Sequence, residues 1–365
     1  MNLFSAIVSS HFQFGDGTQF IMGNHLGDSS SSTTSGNVVN IFSTILDRLE
    51  DDQKSFLEDA KTKQKESGLE VETTIADLIP SNPTDIIKLQ TVISSICMIR
   101  DKTMLHAVST GFVAYAPNIG IVFCSAGHNF EDLLESRGIG ELDKYIIHFG
   151  NIEGNIITDA DVVSPPTKGK PMLLKEFLCM FHVDGSIGFN GKRKLVKELN
   201  DSLHVKDESN SDGEEDYCAL RLNHTNVKGE LRRLGLDWLE FGTCNYLDYH
   251  RKGLATIVGH PGEKATEYSS VGARKKPLRL SFGKEKRARP PCRNKLHFEY
   301  DSLGGNSGSP VIGRGYKDPT NNADQAYKVK GIHIGGNSGI PENIDAYNYA
   351  QKITKLEAWI RRGIF

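Results

Sequence analysis

The chain has 365 residues, 38% hydrophobic and 24% charged, with a formal net charge of -3. That length allows two or three folded units of an ordinary soluble globular protein, and that charge gives no reason to expect a strongly charged partner. No apolar run approaches the ~20 residues of a membrane span, and no Lys or Arg precedes Arg48, so the basic opening of a secretory signal is missing and an intracellular, cytoplasmic protein is expected.

Residues 1–36 begin with Phe12-Gln13-Phe14, a turn at Asp16-Gly17 and Phe20-Ile21-Met22, the pattern of a small hairpin. A lone hairpin is marginal in water, so it is expected to dock on the rest of the chain or on another protein. Ser29 to Gly36 forms a polar linker. Residues 37–84 carry Phe42, Ile45, Leu46, Leu49, Phe56 and Leu57 at helical spacing, with Gly68 as terminator and Pro80-Ser81-Asn82-Pro83 as a boundary. The apolar face of this helical segment either packs on the following domain or binds a protein partner.

From residue 85 the pattern changes to short strands between turn signals: Thr91 to Met98, Ala107 to Tyr115, Ile119 to Cys124 and Tyr145 to Phe149. Such spacing predicts a mainly β fold with a closed or sandwiched antiparallel sheet. The acidic run Asp207-Glu208 to Asp212-Gly213-Glu214-Glu215 reads as a solvated loop tip. Further strands are expected at Leu254 to Val258 and Val329 to Gly336, and a helix at Ile353 to Ile360. The basic segment from Arg274 to Arg293 contains only Phe282 as an aromatic, which argues against a nucleic-acid groove and leaves a solvated loop or local steering of acidic substrates.

The six cysteines (Cys97, Cys124, Cys179, Cys218, Cys244, Cys292) are even in number, which alone permits disulfides. Several lie in apolar strand-like runs, where a free thiol behaves as a small hydrophobe, so all six are expected to be reduced. There is no C-x-x-C pair and the histidines are scattered, so no metal site and no cofactor are expected.

One stretch stands apart. Tyr300 to Val311 crowds Gly304, Gly305, Gly308 and Pro310 around Ser307. Glycines beside a serine let a substrate carbonyl approach and let backbone N–H groups converge on its oxygen. A serine hydroxyl is a weak nucleophile and needs a base, with a carboxylate to orient that base. Upstream, Cys124-Ser125-Ala126-Gly127-His128 ends an apolar strand on a histidine, and Asp216-Tyr217-Cys218-Ala219-Leu220 opens a strand on an aspartate. A histidine after a strand or an aspartate opening one is commonplace alone; the order His128, Asp216, Ser307 is what points to a triad.

These three segments resemble the trypsin-like serine proteases: S-A-G-H, D-Y-C-A-L and G-N-S-G-S-P. The resemblance implies two six-stranded antiparallel β-barrels with a C-terminal helix, the first over residues 85–230 and the second over 231–365. It implies peptide hydrolysis by His128, Asp216 and Ser307, with Gly305 and Ser307 N–H groups as oxyanion hole and a protein or peptide as substrate. Cysteines that secreted members carry after the histidine and before the serine are replaced by Asn129 and Leu303. Gly259-His260-Pro261-Gly262 and Gly331-Ile332-His333-Ile334-Gly335-Gly336 resemble the glutamyl-endopeptidase branch.

Two signals for substrate choice conflict. Asp301 stands where trypsin carries its selector for Lys and Arg; Ser302 and His333 match positions that bind the substrate glutamate in the other branch. Cleavage after Glu is favoured, with cleavage after Lys or Arg as the alternative, and a pocket using charged His333 should lose efficiency as pH rises through the imidazole titration. A different alternative is a protease fold kept as a binding or signalling module whose residues 1–84 recruit partners.

Overall fold

The computed structural model describes residues 73–74, 91–102, 108–135, 139–150, 159–200, 202–208, 215–242, 254–260, 278–286, 294–298, 302, 305–313, 328–336, 348–353, 356, 358 and 360. The expected hairpin at 12–22, the helix from 38 to 66, Asp301, Cys244 and Cys292 lie outside them. The described chain is mainly β, in two sheets joined by a mixed core.

In chain order, β1 (Thr73–Thr74) belongs to the second sheet. The first sheet holds β2 (Ile96–Asp101), β3 (Val108–Ala116), β4 (Gly120–Ser125), β5 (Tyr145–Phe149), β6 (Met172–Leu173), β7 (Asp184–Phe189), β8 (Lys192–Leu199), β9 (Ser202–Glu208), β10 (Asp216–Arg221) and β11 (Leu239–Glu240). Its strands run in the order β6-β5-β2-β3-β4-β10-β7-β8-β9, with β11 beside β3. Short helices α1 (Glu131–Glu135), α2 (Leu174–Met180) and α3 (Val227–Arg233) cover it.

The second sheet holds β12 (Leu254–Gly259), β13 (Arg279–Lys286), β14 (Lys295–Phe298), β15 (Pro310–Gly313), β16 (Val329–Gly336) and β17 (Asn348–Lys352). Its order is β1-β13-β12-β15-β16-β17-β14, and β14 also pairs with β13, so the sheet curls back onto itself. Ile353, Leu356 and Ile360, helical and spaced by three and four, bury their side chains behind it.

Alternation explains why the central strands read as continuous apolar runs. On β4, Ile121 and Phe123 face the core of the first sheet, whereas Val122 and Cys124 face the core shared by both sheets. On β10, Cys218 and Leu220 take the first direction and Tyr217 and Ala219 the second. Successive side chains point to opposite faces, so strands covered on both sides need apolar residues at every position. Cys97, Cys124 and Cys218 are buried free thiols in these runs, and burial pushes all three above the ordinary thiol range; Cys179 is also free. Among the described residues no helix is long and apolar enough to cross a membrane.

Two expectations need correction. Residues 91–95 are helical, and the strand begins only at Ile96. The hydroxyls of Ser94 and Ser95 donate to the Thr91 carbonyl, and Thr91 donates to Asp237 Oδ2 at 2.8 Å. These local bonds hold a helical turn against the strand propensity of Thr, Val and Ile. The acidic run does not end in solvent either, because Glu215 is 2% exposed and paired with Arg193. Thr73–Thr74 pairs with Arg279 and Leu280 in the second sheet, and Leu239–Glu240 pairs with β3 in the first.

Candidate active site

The site begins with the pairing of β4 and β10. They are antiparallel neighbours with Cys218 opposite Ser125, so the end of one strand and the start of the other lie side by side. His128 follows the first by three residues and Asp216 opens the second. Gly127 makes the turn possible: a Cβ there would come within 2.0 Å of the Gly188 carbonyl oxygen on β7.

Asp216, 8% exposed, grips His128 twice. Its Oδ2 lies 2.8 Å from His128 Nδ1, and its Oδ1 accepts the His128 main-chain N–H at 3.0 Å. The Asp216 N–H in turn donates to Gln351 Oε1 at 3.2 Å, which ties the start of β10 to the second sheet. Phe189 lies against the imidazole, ring centroids 5.8 Å apart and tilted by 58°. Burial by itself would lower the basicity of His128, but the Asp216 hydrogen bond and charge, with a contribution from Glu131, more than offset it and the net shift is upward. With Nδ1 committed to Asp216, Nε2 remains to exchange protons with a reacting group.

Ser307 is half-buried in the turn leading into β15. Its carbonyl accepts the Thr110 N–H at 2.8 Å and the Asn129 side-chain amide at 3.0 Å. Asn129 immediately follows His128, so the serine main chain is within one side chain's reach of the histidine segment. Gly305 has φ +96° and Gly308 φ +92°, both in the region that favours glycine. At Gly308 a Cβ would also stand 1.9 Å from the Thr110 carbonyl oxygen. Neither the Gly305 nor the Ser307 N–H finds an acceptor among the described residues.

His333 lies on β16, whose main chain brackets the turn: Gly308 N–H donates to the His333 carbonyl at 2.7 Å and His333 N–H to the Ser309 carbonyl at 2.8 Å. His333 is 2% exposed, and burial, then the nearby charge of His128, lower its pKa to about 3. The Ser302 hydroxyl donates to Asn348 Oδ1 at 2.6 Å. Asp301 has no described position.

Sequence reasoning missed Thr110, Asn129 and the Arg193–Glu215 pair behind Asp216. Their signal was faint: a threonine at a buried strand position and an amide after a histidine are common. Among the described residues no three His, Cys, Asp or Glu side chains gather as a metal site requires.

No protein-family model matches the sequence, and no curated protein matches it either. Among solved structures the chain is similar to the active form of the Rv3671c protease from M. tuberculosis, at 12% identity over 78% of this chain and 87% of that one, with a TM-score of 0.34. It is also similar to human heparin binding protein, at 9% identity over 74% and 91%, with a TM-score of 0.37. A structure from work on the Sesbania mosaic virus VPg protein matches at 13% identity over 74% and 92%, with a TM-score of 0.38. Likenesses this distant leave the chemistry to be read from the chain's own residues.

Proposed function

We propose that this protein is a trypsin-like serine endopeptidase. The observation that carries the reading is the double grip of Asp216 on His128, with Asn129 bridging from that segment to the main chain of Ser307. In the proposed reaction Ser307 Oγ attacks the scissile carbonyl and passes its proton to His128 Nε2. The tetrahedral oxyanion is received by the Gly305 and Ser307 N–H groups, and the proton moves on to the leaving amine. Water, deprotonated by the same imidazole, then releases the acyl group and restores Ser307. Asp216 keeps the imidazole in one tautomer and stabilises its charged form. The curled second sheet supports a six-stranded barrel as one half of the enzyme, and the first sheet, extended by the β8–β9 hairpin, supports the other.

A fluorophosphonate probe labels only an activated serine. Wild-type protein should be labelled and Ser307→Ala should not; an unlabelled wild type would overturn the reading and favour a binding module that recruits partners through residues 1–84. Free thiols in the described core fit a protein kept in a reducing, intracellular compartment.

For substrate, the reading is cleavage after Glu, with Ser302 and His333 as carboxylate donors. The pH expectation changes, however. Burial lowers the His333 pKa to about 3, below the ordinary imidazole range, so Glu cleavage should not fall as pH rises through an ordinary imidazole titration. A neutral imidazole still donates one N–H. Paired peptides that differ only in Glu or Lys before the scissile bond decide the matter: the Glu peptide should be cut faster, and His333→Ala should lose that advantage. Faster Lys cleavage would assign the pocket to Asp301 instead.

A further inference from the structure

Behind Ser307, where the two sheets meet, a buried group of polar residues ties the serine turn to β3 and β4. Thr110, on β3 and fully buried, donates from its hydroxyl to the Gly305 carbonyl at 2.9 Å and from its N–H to the Ser307 carbonyl at 2.8 Å. The same hydroxyl accepts the His260 N–H at 2.9 Å, which brings in the end of β12. Asn129 donates to the Ser307 carbonyl at 3.0 Å and to the Ser125 hydroxyl at 2.9 Å, and that hydroxyl donates to the Thr110 carbonyl at 2.7 Å.

The geometry has a consequence for the direction of the turn's N–H groups. A trans peptide unit is planar, with its carbonyl and N–H on opposite sides, so holding one end aims the other. The unit joining Ser307 to Gly308 is held at both ends, by Thr110 and Asn129 on the oxygen and by the His333 carbonyl on the N–H. The unit joining Asn306 to Ser307 has its oxygen held by the Ser309 N–H at 2.9 Å, which turns the Ser307 N–H to the opposite side. The unit joining Gly305 to Asn306 is held by the Thr110 hydroxyl. Three consecutive peptide units are thus fixed, and Thr110 and Asn129 hold the outer two, which flank the unit that carries the Ser307 N–H.

We propose that Thr110 and Asn129 are positioning residues: a cross-sheet clamp that, by fixing the peptide units on either side of it, keeps the Ser307 N–H aimed at the developing oxyanion. The inference rests on the serine-endopeptidase reading and adds to it two residues that touch neither the substrate nor the reacting atoms. Transition-state stabilisation by such donors depends on their being preorganised. Loosening the clamp should therefore slow the chemical step and leave ground-state binding alone, whereas a merely structural role would lower stability without that selectivity.

The test uses the full chain, with Thr110→Val (shape kept, hydroxyl lost), Thr110→Ser (hydroxyl kept) and Asn129→Leu (donors lost). It measures kcat and KM on one peptide, affinity for a peptide boronate that forms a tetrahedral adduct on the serine, and fluorophosphonate labelling. Thr110→Val and Asn129→Leu should each lower kcat by about 10- to 100-fold, keep KM within about twofold, and weaken boronate binding by the same factor as kcat. Thr110→Ser should stay close to wild type. The clamp is overturned if kcat is unchanged, if KM changes in place of kcat, or if Thr110→Ser is as impaired as Thr110→Val. Should Thr110→Val not fold, the half-buried Asn129→Leu decides alone. An unlabelled wild type removes the functional reading and the clamp together; a labelled wild type with unaffected variants removes only the clamp.

Discussion

Replacing Ser307 by Ala, or His128 by Ala, should reduce peptide hydrolysis by several orders of magnitude while the protein remains folded. Ser307 is half-buried and His128 partly exposed, so neither truncation opens a large cavity. Asp216→Asn should cost on the order of 10⁴-fold in kcat, because the amide presents a donor where the imidazole Nδ1–H needs an acceptor and the wrong tautomer results. The pH profile follows from His128. Its folded-state pKa is raised, and the base must be neutral to accept the serine proton, so kcat/KM should fall as pH drops through a value above the ordinary imidazole range. In Asp216→Asn the stabilising charge is gone, and the same limb should move to lower pH. Full turnover by Ser307→Ala, or an acid limb that stays in place in Asp216→Asn, would contradict the assignment. Circular dichroism of each variant confirms that the loss is one of chemistry.

Arg193→Ala should destabilise the protein by about 3–5 kcal/mol. Arg193 is 5% exposed; its Nη2 donates to Glu215 Oε2 at 2.7 Å and its Nε to the same oxygen at 3.3 Å. Its Nη1 reaches Glu208 at 3.2 Å on β9. Removing the guanidinium leaves the Glu215 carboxylate in a dry site beside Tyr217 and one residue before Asp216. A buried carboxylate that loses its guanidinium costs more than the pair contributes. The double variant Arg193→Met/Glu215→Leu should therefore recover much of the loss. Urea unfolding reads both effects; an unchanged midpoint in Arg193→Ala would show that the pair carries no stability. Because Glu215 adjoins the carboxylate that orients His128, the single variant should also show reduced kcat.

How much of this was readable from residues alone differs from element to element. Tyr145–Phe149 and Val329–Gly336 are strands with the expected ends, because apolar runs between turn residues have few other solutions. Thr91 to Ser95 is helical against its local pattern, because β-branched residues favour a strand until Ser94 and Ser95 find the Thr91 carbonyl. Glu215 looked like one more acid in a solvated run, and nothing near it in the chain announces an arginine on β8.

The mainly β character, the free thiols of Cys97, Cys124, Cys179 and Cys218, and the candidates His128, Asp216 and Ser307 are legible in the residues alone, because each depends on local pattern: alternation, small residues around a serine, a polar group at a strand end. Packing alone shows that Asp216 holds His128 at two points, that Thr110 and Asn129 grip the serine turn, that burial lowers the pKa of His333 and that Arg193 pairs with Glu215. Each of those joins residues far apart in the chain, or depends on how much water the packed sheets exclude. Burial and distance are properties of the packed chain and have no local signature.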